Sequence, residues 1–300
     1  MNYRHQFHAG NFADVLKHAV LLHLLGALQA KEKGLLYLDT HAGRGGYDLE
    51  AAATGATLAR SPEWPLGLGR VLGRSEPHPV LADYLAAVRD FDRAARTRLD
   101  PAEPARSADA PLRFYPGSPW LAAARLRPQD RAVFCERQPD EAAALAADFA
   151  GRRRVSVQTM DGYTAVRALL PPPERRALVL IDPPFESGDE WSAILGALEA
   201  GLARLSGGTF AVWYPLTARA RVDVFYRQLL AFRDLPPCYT VELLVGGEDA
   251  GLKLWGCGLL VLNPPWGSDR PLDSLARGLA PVLAQGPGAT GGVHWLVSER

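Results

Sequence analysis

Asp182-Pro183-Pro184-Phe185 closes the apolar run Ala177-Leu178-Val179-Leu180-Ile181 and combines the residue types needed to grip a planar base by its exocyclic amine. The lone pair of an adenine or cytosine amine is delocalised into the ring, so the nitrogen is a poor nucleophile until acceptors draw its protons out of the ring plane. Asp182 supplies one acceptor. Proline has no N–H and a fixed φ, so the backbone at Pro183 and Pro184 is stiff and leaves its carbonyls free as another. Phe185 can stack on the base. The chemistry these four residues suit is methyl transfer to an amino nitrogen. As local structure alone, the same tetrapeptide is a strand followed by a proline turn.

A near copy, Asn263-Pro264-Pro265-Trp266, follows the apolar residues Leu259 to Leu262, and Asn-Pro-Pro-aromatic also occurs in amino-methylating enzymes. Only strand direction can separate the two.

Further groups have the character of a nucleotide-cofactor site. Asp39-Thr40-His41-Ala42-Gly43-Arg44-Gly45-Gly46-Tyr47 is rich in small residues that let backbone approach a ligand closely. It is not a dinucleotide fingerprint, because a Gly-x-Gly-x-x-Gly pattern begun at Gly43 meets Asp48 at its last position. Glu136 follows one apolar run, where an acid commonly bonds ribose hydroxyls. Asp161-Gly162 follows the next, with a carboxylate that can accept from an adenine amine. Gly117-Ser118-Pro119 reads as the start of a helix with Ser118 at the N-cap and Pro119 at the first helical position, suited to a cofactor carboxylate. Each also has a purely local reading: Ser118 as a cap, Glu136 as a solvated strand end, Asp161 as the cap of the next helix.

These residues require a scaffold of alternating strands and helices. The patterning predicts strands at 35–39, 131–135, 154–158, 177–181, 209–214, 239–245 and 257–262, and helices at 11–30, 119–127, 139–150, 162–169, 189–204 and 217–231. The last two strands are joined by Gly246 to Gly256, too short for a helical crossover and suited to an antiparallel hairpin. An α/β fold of this kind, a seven-stranded mostly parallel sheet with a terminal antiparallel hairpin, is the Rossmann-like S-adenosylmethionine-dependent methyltransferase fold. Ligands in such sheets bind outside the carboxyl ends of the parallel strands. Asp182 lies at such an end, whereas a reversed last strand carries Asn263 to the opposite edge and makes 263–266 a structural turn. Residues 49–113 interrupt the alternation with Pro62, Pro65, Pro77 and Pro79, a helical pattern from Val80 to Ala95, and a loop at 100–107. They read as a small helical insertion over the ligand side of a methyltransferase domain formed by 1–48 and 114–300.

The 300 residues are 48% hydrophobic and 22% charged, enough for a sizeable core. No uninterrupted apolar run approaches the roughly 18 residues of a membrane span, and the N-terminus leads into no signal-peptide core, so a cytoplasmic protein without membrane partners is expected. A monomer is the expectation, although no residue pattern bears on it. Cys135, Cys238 and Cys257 are widely spaced core residues, and the histidines at 5, 8, 18, 23 and 41 show no ligand spacing, so no metal is expected. Net charge is zero, so nucleic acid would have to be held by local patches such as Arg152-Arg153-Arg154, the arginines from Arg89 to Arg98, or Arg4, His5, His8 and Lys17. Only four of the 33 basic residues are lysine, so the arginine abundance also reads as compositional habit.

The segment Tyr3-Arg4-His5-Gln6-Phe7-His8-Ala9-Gly10-Asn11-Phe12-Ala13-Asp14-Val15-Leu16-Lys17-His18, with Tyr37 to Tyr47, Tyr115-Pro116-Gly117-Ser118-Pro119, Leu180 to Phe185, Trp213-Tyr214-Pro215 and Asn263 to Trp266, resembles the bacterial 23S ribosomal RNA adenine-N6 methyltransferases of the RlmJ family. The resemblance spans nearly the whole chain and is poorest over 49–113. It implies S-adenosylmethionine as cofactor, contacted by His18, His41, Ser118, Glu136, Asp161, Gly162 and Asp182, with Asp182 also the catalytic acceptor and Tyr3 near the RNA. Phe185 stands where the family often has tyrosine, so stacking is kept and a phenol hydrogen bond is not. The rivals are a DNA adenine methyltransferase, a methyltransferase of a protein glutamine amide, and a non-catalytic RNA-binding protein.

Overall fold

Side chains that alternate along the strands settle on opposite faces of one sheet. In Leu36–Asp39, Leu36 and Leu38 enter one core and Tyr37 the other; in Ala177–Ile181, Ala177, Val179 and Ile181 face one way and Leu178 and Leu180 the other. Both faces are covered, which is why 177–181 is apolar throughout.

The structure is a computed structural model and describes residues 5–54, 61–75, 77–99 and 111–299. Tyr3, Arg4 and the loop at 100–107 lie outside the described residues. The elements are α1 (Phe12–Gln29), β1 (Leu36–Asp39), β2 (Gly46–Asp48), α2 (Leu49–Thr54), α3 (Leu68–Leu72), α4 (Pro79–Leu99), β3 (Phe114–Pro116), α5 (Ser118–Ala123), β4 (Arg131–Glu136), α6 (Pro139–Asp148), β5 (Val155–Thr159), α7 (Gly162–Leu169), β6 (Ala177–Ile181), α8 (Glu190–Arg204), β7 (Thr209–Leu216), α9 (Arg219–Leu230), β8 (Cys238–Leu244), β9 (Gly256–Leu262), α10 (Asp269–Leu283) and β10 (Thr290–Val297). The main sheet runs β10-β8-β9-β7-β6-β1-β4-β5. The strands β1, β4, β5, β6 and β7 are mutually parallel. β9 is antiparallel to both β7 and β8, and β10 is antiparallel to β8. Helices α1, α4, α5, α6 and α10 cover one face and α7, α8 and α9 the other.

The sheet thus has eight strands where the sequence reading counts seven. β10 begins Thr290-Gly291-Gly292, which carries little strand propensity, and α10 before it contains Pro281. Gly291 is there because a Cβ would meet the Ala276 carbonyl oxygen at 2.4 Å, so only glycine lets α10 lie on β10. The free cysteines Cys135, Cys238 and Cys257 are all buried.

The insertion is tied off at its base. β2 pairs antiparallel with β3, and Arg113 donates from Nε and Nη2 to Asp48 Oδ2 across that ribbon, each at 3.1 Å. Asp92 on α4 accepts from the backbone N–H groups of Arg113 and Phe114. The buried face of α4, including Leu81, Tyr84, Leu85 and Val88, joins the core around α1. The described part of 49–113 therefore packs beside α1 and lines no part of the cleft described below. By length and composition α1 alone among the described helices could cross a membrane, but 72% of it is buried in the protein, where it is the central helix of this core.

β9 is reversed, so its last residue Leu262 pairs with Phe210 at the start of β7. Asn263 then sits at φ +47°, and its Nδ2 donates to the Ser206 and Gly208 carbonyls at 2.7 and 2.9 Å. Asn263 to Trp266 is a turn at the far edge of the sheet from Asp182, as strand direction requires.

Candidate active site

The carboxyl ends of the parallel strands open into a cleft of about 1200 Å³. Asp182, Pro183, Pro184 and Phe185 line it, together with His18, His41, Ser118, Glu136, Asp161 and Gly162. The described residues that the sequence assigns to the cofactor and to the Asp182 tetrapeptide are thus brought to one place, although they come from six separate stretches of chain.

Beside Asp182 lies a residue that the sequence reading placed in a motif and in a basic patch for nucleic acid, and not in the site. Lys17 Nζ donates to Asp182 Oδ2 at 2.6 Å and to Asp14 Oδ1 at 2.8 Å. Asp14 and Lys17 are the only acid and the only lysine or arginine in α1, one turn apart on a mostly apolar helix. A charge pair in such a setting is the signal that could have marked them. The helix start is set by Asn11, whose Oδ1 accepts from the Asp14 N–H and whose Nδ2 donates to Glu63 Oε2. Burial opposes the charge on Lys17, yet the two carboxylates more than offset it and raise its pKa well above the ordinary value. The ammonium is therefore fixed in the cleft wall, bound to one oxygen of Asp182.

Phe185 holds φ +51°, a conformation that costs a bulky residue on the order of 1–3 kcal/mol. Its ring is wedged edge-on between Trp191 and Trp213, with centroids 4.9 and 5.8 Å away. The strained backbone and the aromatic clamp present the ring at the cleft.

The opposite wall is built from the strand ends. Glu136 Oε2 accepts from the Gly43 N–H at 2.9 Å and Oε1 from the Gln138 N–H at 2.7 Å, which ties the glycine loop to β4. Asp161 is the N-cap of α7, accepting from the Thr164 N–H at 2.8 Å, so its local reading holds while it also lines the cleft. Gly162 must be glycine, because a Cβ would lie 2.1 Å from the Thr40 carbonyl oxygen. His18 Nδ1 meets the Tyr115 hydroxyl at 2.7 Å, and that hydroxyl meets Tyr84 of the insertion at 3.0 Å. His41 is held by Thr40 Oγ1, and burial lowers its pKa to about 4, so its ring is neutral at pH 7.

Ser118 departs from its expected place. The N-cap of α5 is Gly117, and Ser118 is the first helical residue. Its hydroxyl turns inward and donates to Asp39 Oδ2 at 2.7 Å, alongside the Tyr37 hydroxyl at 2.9 Å. Asp39 is wholly buried, and burial pushes its pKa up to about 6. Its Oδ1 has no hydrogen-bond partner among the described residues. A buried carboxylate oxygen left unpaired calls for a donor. That orphaned oxygen, the close backbone around Gly43 and Gly162, and the acids at the ends of β4 and β5 are a donor set that fits an amino-acid and nucleoside cofactor. Among the described residues no group of three or more His, Cys, Asp or Glu could hold a metal ion.

Of the arginine clusters, Arg152 stacks on Trp120 and Phe149, Arg96 pairs with Asp92, and Arg89 caps the Leu72 carbonyl. These side chains serve the protein's own packing.

A parallel sheet ending in a reversed strand, with this cleft at its carboxyl edge, defines an S-adenosylmethionine-dependent methyltransferase. Residues 32–297 match the family described as ribosomal RNA large subunit methyltransferase D, RlmJ. The chain is 35% identical to ribosomal RNA large subunit methyltransferase J of Haemophilus influenzae and 33% identical to that of Escherichia coli, with both chains covered in full in each case. A crystal structure of a Legionella pneumophila protein superposes with a TM-score of 0.80 at 30% identity, covering 98% of this chain and 99% of that one. The chain belongs to the RlmJ family.

Proposed function

We propose that this protein methylates N6 of an adenine in 23S ribosomal RNA, with Asp182 as the acceptor that prepares the amine. The observation that carries this reading is the Asp182 carboxylate at a strand end, ion-paired to buried Lys17 through one oxygen at 2.6 Å and followed by two prolines and a ring. The curated relatives bear the name of ribosomal RNA large subunit methyltransferases, which supports RNA as the substrate class.

The target adenine is rotated out of its stack, because its amine cannot be reached inside a helix. Phe185 receives the base on its face. Asp182 Oδ1 and the Pro183 carbonyl accept from the two amine hydrogens and pull the nitrogen lone pair out of conjugation. S-adenosylmethionine supplies an electrophilic methyl group on its sulfonium. Glu136 holds the ribose hydroxyls, Asp161 the adenine amine, and Ser118 and Asp39 the amino-acid end, while His18, His41 and Gly162 complete the wall. Asp182 need not deprotonate the neutral amine. It accepts the amine proton only as the new N–C bond makes that proton acidic. Rate comes from positioning and from acceptors aimed at the developing positive charge.

In the same reading, 49–113 is a helical insertion subdomain on a methyltransferase domain of 1–48 and 114–300, Tyr3 lies near the RNA, and the protein works in the cytoplasm as a monomer. The test offers labelled cofactor with 23S ribosomal RNA, assembled subunits, DNA and protein, followed by nucleoside analysis. Label in N6-methyladenine from RNA is the expected result. Label in DNA or in glutamine overturns the substrate, and cofactor binding without label in any acceptor overturns catalysis.

A further inference from the structure

The cleft continues past the Asp182 tetrapeptide to α9. At about 1200 Å³ it exceeds the roughly 300–1,000 Å³ typical of a single small-molecule site, leaving room beyond one cofactor and one base. Two arginines line it, Arg137 beside Glu136 and Arg221 on α9, and neither guanidinium makes a hydrogen bond or ion pair among the described residues.

Arg221 contrasts with Arg219, two residues earlier. Arg219 forks onto Glu242 at 2.9 and 2.8 Å, and the hydroxyls of Tyr214 and Tyr226 bond the same carboxylate. This network bolts α9 to the sheet, and Gly258 makes room for it, since a Cβ there would lie 2.2 Å from the Tyr214 ring. Arg221 does none of this. It stands in the first turn of α9, where the helix dipole disfavours a cation and no acid offsets it, so it does not stabilise the helix. With Val224 and Gln228 it forms one stripe, at i, i+3 and i+7, that lines the cleft. Val224 is 43% exposed, an apolar side chain left open beside an unpaired cation.

We propose that Arg221, Val224 and Gln228 hold the RNA nucleotide adjoining the flipped adenine, with Arg221 on its phosphate, Val224 against its sugar or base and Gln228 on a polar edge. This rests on RNA being the substrate proposed above. Charge complementarity and the continuity of the stripe with the base site favour a nucleic-acid strand over a protein partner.

The test measures methylation of a full-length 23S ribosomal RNA transcript by the wild-type protein, Arg221→Glu, Arg221→Lys and, as a control at the far edge of the sheet, Arg270→Glu. For Arg221→Glu the KM for RNA rises about 10-fold or more, the value of a charge-assisted contact. The slope of log KM against log salt falls by about one contact. The kcat at saturating RNA and the cofactor affinity by calorimetry stay unchanged, and Arg221→Lys recovers most of the salt slope. Unchanged KM and slope in Arg221→Glu overturn the proposal, as does an equal loss in Arg270→Glu or a fall in kcat alone. Failure of the wild-type protein to label the transcript is a failure of the substrate reading instead, and it is seen before any variant is compared.

Discussion

Lys17 Nζ lies 2.6 Å from Asp182 Oδ2 and 2.8 Å from Asp14 Oδ1, so one buried ammonium joins the first helix of the chain to the acid that closes β6. Burying an ion pair commonly loses more in desolvation than it regains, so the pair by itself is weak evidence for stability.

Removing either partner separates the two roles. Lys17→Met leaves two carboxylates facing each other in a buried site and should cost about 3–5 kcal/mol by chemical denaturation. Asp182→Ala leaves Lys17 paired to Asp14, so the fold survives while methyl transfer falls by at least about 10³-fold. Near-native turnover by Asp182→Ala would remove Asp182 from the mechanism.

Phe185 offers a second separation, because its ring and its backbone conformation can be changed independently. Phe185→Ala loses the stacking surface and should lower kcat/KM for RNA by about 10–100-fold, the scale of one base–aromatic stack. Phe185→Gly loses the same ring but relieves φ +51°, so it should be the more stable of the two by about 1 kcal/mol on thermal denaturation. Equal stabilities would mean that the positive φ stores no strain.

Asp39 and His41 give stability opposite pH slopes. Burial raises Asp39 from 3.8 to about 6, so the folded state binds the proton more tightly than the unfolded chain and stability falls as pH rises between about 4 and 6. His41 is lowered from 6.5 to about 4, so stability rises with pH across nearly the same window. The contributions of these two residues therefore nearly cancel between pH 4 and 6. Asp39→Asn should unmask a rising slope, its advantage over wild type reaching on the order of 3 kcal/mol by pH 7, and His41→Gln a falling one. Denaturant midpoints measured across pH decide it, and parallel curves for all three proteins would refute the opposition.

Gly162→Ala places a Cβ 2.1 Å from the Thr40 carbonyl oxygen, where neither backbone can yield freely. A stability loss of about 1–3 kcal/mol is expected, with weaker cofactor binding by calorimetry. Wild-type values on both counts would show that the β1 loop moves at no cost.

Asn263→Ala tests the second Pro-Pro motif. It removes two hydrogen bonds to the Ser206 and Gly208 carbonyls and puts alanine at φ +47°. The protein should lose about 1–3 kcal/mol of stability, while turnover per folded molecule stays at the wild-type value. A specific loss of turnover would make this turn part of the active site.

The boundaries of these elements show how far local pattern reaches. The helix expected at 162–169 is Gly162–Leu169, and the strand expected at 177–181 is Ala177–Ile181, because hydrophobic period and capping residues act over one or two turns. The reversed strand followed from the length of a single loop, and with it the choice between Asp182 and Asn263. β10 was not legible, because Gly291 is selected by the approach of α10 and carries no strand signal of its own. Ser118 was legible as a helix start but not as a donor to Asp39, for that partner is 79 residues away.

By itself, then, the sequence determined the fold class, the strand that ends in Asp182 and the acids at its neighbours' ends, since each is written in consecutive residues. Only the tertiary structure decided that Lys17 pairs with Asp182 across 165 residues and that, among the described residues, Asp39 keeps an unpaired oxygen and Arg219 is bound while Arg221 has no partner. Charge pairing depends on which side chains the packed core leaves within a few ångströms of one another, and that distance is set by the whole chain rather than by any stretch of it.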